Sequence, residues 1–235
     1  MTFDATAPRC EAACPEVFHL ATAAHARPTG APELATLLGP SRARGELRLL
    51  ERWVPTVFAG RRVLEVAAGT GTWTRFIAPQ TFSLLATDLK EQALQSARRR
   101  VASAKVRFSA ADAYALPPAL GQFDGAFAGF WLSKVPRSRL HSFFCSLHAR
   151  LQPGAKVLLL DRRFVPGQAA PLVECDDEGN TYQVRLGPQG VVQRVLRNFP
   201  EPTELLQAVA GQACNASVHQ WVHYWALSYE LANPV

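Results

Sequence analysis

No CxxC pair occurs among the five cysteines, and their number is odd. Cys10 and Cys14 are spaced C-x3-C with no second ligand pair, so neither a zinc site nor a disulfide framework is expected. The thiols read as reduced, which fits a cytoplasmic location. No apolar run reaches the roughly 18 residues of a membrane span. The first residues lack a basic start followed by a compact apolar core, so no signal peptide is expected. Long blocks of one charge sign are also missing. The net charge of +6 comes from scattered arginines, apart from "ARRR" at 97–100. That run reads as the solvated outer face of a helix rather than a nucleic-acid patch. These absences leave a small molecule as the expected partner, with no nucleic acid and no membrane. The oligomeric state is left open.

What is present suits one domain of ordinary enzyme size across residues 1–235. Residues 1–40 read as an N-terminal arm or helical cap rich in Ala, Pro and Thr. "ARGELRLLERWVPTVF" places Leu47, Leu50, Trp53 and Val54 on one helical face, and Pro55 should end or bend that helix. A regular alternation then runs to Asp161. "RRVLEVA", "FSLLATD", "AKVRFSAAD", "FDGAFAGF" and "AKVLLLD" are short apolar strands. "GTWTRFIAP", "LKEQALQSARRRVAS" and "PRSRLHSFFCSLHARLQPG" are helices, the last ended by Pro153-Gly154. Such alternation predicts a doubly wound α/β sheet, parallel and covered on both faces. After Asp161 the rhythm changes. Residues 176–199 read as a β-hairpin insertion turning at Gly187 to Gly190. Residues 200–235 give a helix with Pro202 in its first turn, then aromatic, β-rich edge strands. No clear turn divides those strands in the sequence.

The loop in "VLEVAAGTGTWT", residues 63–74, stands at the end of the first strand, where parallel sheets bind ligands. Its glycines let backbone approach a ligand. The third glycine of a dinucleotide fingerprint is absent, and Trp73 crowds the place of a diphosphate. The Glu65 carboxylate would repel phosphate. It suits instead a cofactor with a positive end, such as S-adenosylmethionine, which carries an ammonium and a sulfonium and no phosphate. Asp88, 19 residues after Gly69, is placed to take ribose hydroxyls. Leu89 can lie against adenine. Asp112 can accept from the adenine amino group, with Ala113 giving backbone contacts. Each acid also has a plainer reading, as a strand end, a helix cap or a turn.

"VLEVAAGTGTWT", "ATDLKEQAL", "FSAADAYALP", "FDGAFAGFWLS" and "LQPGAKVLLLD", in this order and spacing, resemble class I S-adenosylmethionine-dependent methyltransferases. The resemblance covers residues 43–161, the cofactor-binding core. It implies a Rossmann-like seven-stranded sheet of order 3-2-1-4-5-7-6. It also implies cofactor contacts at Glu65, Ala67, Gly69, Gly71, Asp88, Leu89, Asp112, Ala113 and Phe130.

The acceptor is narrowed by further absences. The Asp/Asn-Pro-Pro-aromatic run of base- and amide-methylating members is replaced by "GFWLSKVP". The fourth strand carries one acid, Asp124, at its start, which argues against a metal-dependent catechol-type site. What remains is the small-molecule group, as in secondary metabolism. "FWLSKVPR", "DRRFVPG" and "DDEGNTYQVR…VLRNFP" resemble a bacterial subset in which the place of Lys134 is often His and that of Arg162 often Asn. This chain departs at both. A lysine is a cation at its ordinary pKa of about 10.4. Lys134 and Arg162 therefore read as charge for a substrate carboxylate or phosphate, or else as solvent-facing. Tyr182 and Arg185, in the insertion, are substrate-binding candidates on a lid. Tyr182 and Lys134 are the catalytic candidates. Trp131, with Trp221, Tyr224 and Trp225, could form an aromatic wall. His219 and His223 read as packing residues rather than metal ligands. Two functions stay open: an active methyltransferase on a small anionic metabolite, and a cofactor-binding subunit without catalysis.

Overall fold

The computed structural model describes residues 34–186 and 190–233, with side chains from residue 41. Cys10, Cys14 and most of the N-terminal arm lie outside them. Helix α1 (Leu34–Val57) leads into β1 (Arg62–Val66), α2 (Thr74–Ile77), β2 (Ser83–Asp88), α3 (Glu91–Arg100), β3 (Val106–Ala110), β4 (Phe123–Gly129), α4 (Leu140–His148) and β5 (Leu151–Arg162). Strands β6 (Leu172–Cys175), β7 (Thr181–Leu186) and β8 (Val192–Leu196) follow. Helix α5 (Pro202–Ala208), β9 (Ala213–Gln220) and β10 (Tyr224–Leu231) complete the chain.

Seven strands form one sheet in the order β3-β2-β1-β4-β5-β10-β9. The first five are parallel, and β10 runs antiparallel to both β5 and β9. Counting β9 and β10 as sixth and seventh, this is the order 3-2-1-4-5-7-6. Period-two alternation sorts the core onto two faces. Leu64, Ala126, Val157, Leu159 and Leu227 pack with Phe143, Phe144 and Leu147 of α4 and Leu205 of α5. Val63, Phe127, Leu158, Leu160 and Ala226 pack under Leu50, Val54 and Phe58 of the α1 side. No helix among the described residues is long and apolar enough to cross a membrane.

Three boundaries differ from expectation. The helical pattern before the first strand is one 24-residue helix ending at Val57, two residues past Pro55. Helix α4 stops at His148, and Pro153-Gly154 instead sit at the entry of β5, Gly154 at φ 75°. The insertion is a three-stranded antiparallel sheet, β6-β7-β8, rather than a hairpin alone. Of its expected turn, residues 187–189 lie outside the described ones.

The turn that the sequence hides is Trp221–His223, between β9 and β10. It has no glycine, proline or asparagine. A distant side chain holds it: the Glu46 carboxylate of α1 accepts from Val222 N (3.2 Å), His223 N (2.9 Å) and His223 Nδ1 (3.1 Å). Local turn chemistry is replaced by an anion that satisfies two backbone donors. His219 and His223 consequently do not share one strand. His219 stacks near Trp53 and Trp221, while His223 is buried and faces Gln168 (2.8 Å).

Candidate active site

Glu65 lies within β1, Asp88 ends β2 and Asp112 follows β3, so three acids meet at the carboxyl edge of the sheet, the candidate cofactor cleft. After β1 the backbone enters the left-handed region at Ala67 (φ 54°), Gly69 (φ 57°) and Gly71 (φ 76°). A left-handed alanine is uncommon and marks a loop whose shape is imposed by its surroundings. One imposing group is Asp88: its Oδ2 accepts from Gly69 N (2.9 Å) and its Oδ1 from Lys90 N (2.9 Å). It therefore ties the β1 loop to the start of α3. A Cβ at Gly71 would meet the Ala97 side chain at 3.0 Å. This glycine therefore also serves close packing against α3.

Glu65 is 2% exposed, and its Oε2 has no hydrogen-bond partner. Burial pushes its carboxyl up to about 8, with Thr74 pulling the other way. An acid left buried and half-satisfied is costly unless something pairs with it. A cofactor ammonium is a suitable partner. Leu89 is 70% exposed, open to a flat apolar ring such as adenine. The Oδ1 of Asp112 accepts from Tyr114 N (2.9 Å), which is the turn role open to that acid. Ala113 is buried beneath it. Phe130 closes the cleft after β4 in a left-handed conformation (φ 57°), its N–H held by Leu160 O (2.7 Å). Trp73 is 4% exposed and packs on Phe76, Phe127 and Phe130, so it is a packing residue. A Cβ at Gly129 would lie 2.6 Å from the Trp73 ring, so glycine is required there.

Next to the cleft, over the ends of β4 and β5, lies a cavity of about 640 Å³. Its walls include Phe130, Lys134, Asp161, Arg162, Arg163, Arg185 and Arg197. Lys134 ends the short 3-10 turn after β4, and Arg162 ends β5. Arg185 comes from β7, and Arg197 follows β8. Among the described residues none of these four forms a salt bridge. Arg162 lies over the Phe130 ring (5.6 Å). Desolvation and the neighbouring Arg197 hold the Lys134 amine below its usual range, although Asp161 and Asp88 oppose this. Burial, and then Arg185, lower Arg197. The side chain of Lys134 remains exposed to the cavity solvent. Like charges crowded together in excess over the one nearby acid destabilise one another until an anion arrives.

Among the described residues the one acid lining this cavity is Asp161, 2% exposed. Its Oδ2 accepts from Ser133 N (2.9 Å) and its Oδ1 from Arg162 N (2.8 Å). Burial raises its carboxyl, with the two amides and the Lys134 charge opposing. Asp161, Arg163 and Arg197 were not singled out in the sequence. Asp161 closes a predicted strand and could have been tested as Asp88 and Asp112 were. Arg197 carried no signal, because only the fold of the insertion brings it back to β5.

Several expected groupings are not formed. Tyr182 is on the face of β7 opposite Gln183 and Arg185, which line the cavity. Its hydroxyl donates to Asp176 Oδ2 (2.8 Å) and Arg194 covers its ring (3.6 Å). The residue alternation of a strand makes neighbours 182 and 183 face opposite ways. Trp131 turns from the cavity toward Tyr114 and Phe143 (5.9 and 6.4 Å). Of the proposed aromatic wall, Tyr224 lines the cavity, whereas Trp225 lies in the core and Trp221 stacks outside near Trp53. Asp124 is far from the ligand end, accepting from Arg62 N (2.6 Å).

Residues 63–154 match the family described as "Methyltransferase domain". A relative named demethylmenaquinone methyltransferase, from Clavibacter sepedonicus, is 36% identical over 173 residues, 72% of this chain and 63% of that protein. The chain thus spans less than two-thirds of that relative's length. A solved structure described as "DhpI-SAM-HEP complex" is 24% identical, with a TM-score of 0.64 over 82% of this chain and 86% of that one. Another, "DhpI-SAH complex structure", is 23% identical, with a TM-score of 0.63 over 86% and 89%. At these identities the structural likeness speaks for the fold alone.

Proposed function

We propose that this chain, whose residues 63–154 carry a methyltransferase domain, transfers a methyl group from S-adenosylmethionine to a small anionic metabolite. The bound cofactor supplies a methyl group on a cationic sulfur. Glu65 and the Ala67–Gly71 loop would hold its amino-acid end. Asp88 would take the ribose, while Leu89, Asp112 and Ala113 receive the adenine and Phe130 closes the cleft. Asp88 would exchange or share its two backbone donors to do so. The chain's own contribution is alignment and exclusion of water.

The observation that carries the acceptor class is the cation set Lys134, Arg162, Arg185 and Arg197, without salt-bridge partners around one cavity. The acceptor named in the relative, demethylmenaquinone, is the rival substrate, but an apolar quinol leaves those cations unmatched. The test begins with calorimetry. S-adenosylhomocysteine should bind and raise the melting temperature, and NAD should not. Labelled S-adenosylmethionine is then offered with carboxylates, phosphates and demethylmenaquinone. Transfer to an anion, lost at high salt, supports the reading. Exclusive transfer to demethylmenaquinone, or tight cofactor binding without any transfer, overturns it. The latter result would favour a binding subunit. Within the cation set, activity should rank wild type above Lys134→Arg above Lys134→Met, because arginine keeps the charge but not its geometry. Full activity in Lys134→Met would remove this residue from the site.

A further inference from the structure

We propose that Asp161 accepts the proton of the acceptor's nucleophilic group, so that the substrate is an anion bearing a separate hydroxyl or amine rather than one methylated on its charged group. This rests on the methyltransferase reading above. Asp161 is the last residue but one of β5: Leu160 O holds Phe130 N, and Asp161 itself holds Ser133 N. Its carboxylate is thereby strapped to the Phe130–Lys134 segment, at the boundary between the acidic cleft and the cationic cavity. Each oxygen takes one backbone N–H, and the Ser133 hydroxyl bonds to the carboxylate as well, which leaves one lone pair for a further donor.

A clamp alone does not account for a carboxylate here. Two backbone amides can be held by a neutral acceptor, and burying an ionised acid among apolar strands costs stability. The acid also weakens the cavity's grip on an anion by cancelling one positive charge. Both costs are reasonable if the group touches the reacting atom. The cations Arg185 and Arg197 lie on the insertion side. An anionic head seated there points the other end of a small molecule toward Asp161. In the step, the acceptor's X–H bond breaks and its proton passes to Asp161. The freed pair on X forms the bond to the methyl carbon, and the carbon–sulfur pair stays on sulfur. The remaining cations Lys134 and Arg162 stabilise the developing charge on X. Lys134 is the rival base: burial and the neighbouring Arg197 favour its neutral form, while Asp161 favours the charged one.

The test uses the full chain with labelled S-adenosylmethionine and a deproteinised bacterial extract, followed by identification of the methylated product. The expected product is a methyl ether or methylated amine on a molecule carrying a carboxylate or phosphate. With that acceptor, Asp161→Asn should lower kcat by about a hundredfold or more, the usual scale of a general base, while KM changes little. The wild-type rate should fall in acid as the carboxylate is protonated, and that limb should vanish in the variant. In Asp161→Asn the amide offers one acceptor where the carboxylate offered two, so the melting temperature at pH 8 should fall somewhat; binding of S-adenosylhomocysteine should stay near wild type, and a loss confined to kcat with its acid limb is what a purely structural clamp would not give. If that variant fails to fold, the wild-type product still decides. A methyl ester of a carboxylate or phosphate, or an unchanged kcat in Asp161→Asn, overturns the proposal and leaves the methyltransferase reading standing. No methylated product at all, with S-adenosylhomocysteine bound, overturns both.

Discussion

The two halves of the sheet's carboxyl edge carry opposite charge and are built by opposite means. Over β1 to β3 the groups are Glu65, Asp88 and Asp112, and the shape comes from backbone: left-handed residues, one tied loop and open peptide groups. Over β4 and β5 the groups are Lys134, Arg162, Arg185 and Arg197, and the shape comes from side chains of four separate segments. Phe130 stands between the two. The acidic half suits a donor that is positive at its reactive end. The basic half suits an acceptor that is negative. A site so divided brings unlike charges together at its centre, which concentrates both partners before any chemistry occurs.

Reversing one sign in the basic half should give the largest effect. Arg197→Glu puts an acid beside Asp161 and Arg185. The kcat/KM for the anionic acceptor should fall by about a hundredfold or more, the scale for losing a buried charge contact. S-adenosylhomocysteine affinity should be unchanged, because Arg197 does not touch the acidic half. A matched loss of cofactor binding would mean that the two halves are one electrostatic unit, and the comparison would fail.

A smaller loss is expected from Asp88→Ala. It should weaken cofactor binding by about 1.5–3 kcal/mol, the scale for hydrogen bonds to a charged group. The variant also frees Gly69 N and Lys90 N, so part of the loss reflects a looser loop. Calorimetry with S-adenosylhomocysteine and with adenosine would separate these parts. Loss of ribose contacts weakens both ligands equally.

Glu65 offers a pH test of the acidic half. Burial pushes its carboxyl up to about 8, so in the free protein it is mostly protonated at neutral pH. A cationic cofactor end favours the ionised form. Affinity should therefore rise with pH up to about 8, by at most about tenfold per unit, and then level off. Stability of the free protein should run the other way. A raised carboxyl is stabilising while protonated, so melting temperature should decline as pH climbs from the ordinary carboxylate range toward 8. Glu65→Gln should flatten both trends. A cofactor affinity that ignores pH in wild type would mean that Glu65 meets no positive group.

The same contrast explains what could be read from sequence. The acidic half is written in one contiguous stretch plus two acids at strand tips; the apolar runs give a parallel sheet, and the order of its seven strands is what the family resemblance implies. The basic half depends on contacts between residues far apart. Asn198 on the insertion bonds Val135 O (2.9 Å) and Asn180 Oδ1 (3.0 Å), and its own N–H reaches Ser133 O (2.8 Å). These bonds dock the small sheet on the segment that carries Lys134, and so bring Arg185 and Arg197 to the cavity. Nothing local announces them. The Trp221–His223 turn was hidden for the same reason, since its holder Glu46 is in another helix. Strand β6 was missed because four residues with one charged member give little alternation to count.

The smallest effect is expected at Tyr182, where sequence reasoning and structure part. As an insertion tyrosine near Arg185 it reads as a residue that orients a nucleophile. In the fold its ring lies under Arg194 and its hydroxyl donates to Asp176, on the side of β7 away from the cavity. The pairing with Asp176 keeps the phenol proton in place; desolvation pushes the carboxyl of Asp176 up, and the hydrogen bonds from Tyr182, Asn180 and Glu178 together hold it below its usual range. Tyr182→Phe keeps the ring and removes only the donor. Asp176 still accepts from Asn180 N (2.8 Å) and Asn180 Nδ2 (3.1 Å), so the loop before β7 should hold. The kcat/KM should stay within about twofold of wild type, which is a negligible change in transition-state binding. The melting temperature should drop slightly, and the drop should vanish in acid once Asp176 is protonated. Tyr182→Ala, which also strips the ring from Arg194, should loosen the sheet further and raise KM through Arg185, three residues on in the same strand. A large kcat loss in Tyr182→Phe with KM unchanged would place the hydroxyl at the reacting atoms. In that event β7 would have to present its other face to the substrate, and the assignment of the basic half would need Tyr182 in place of Arg185.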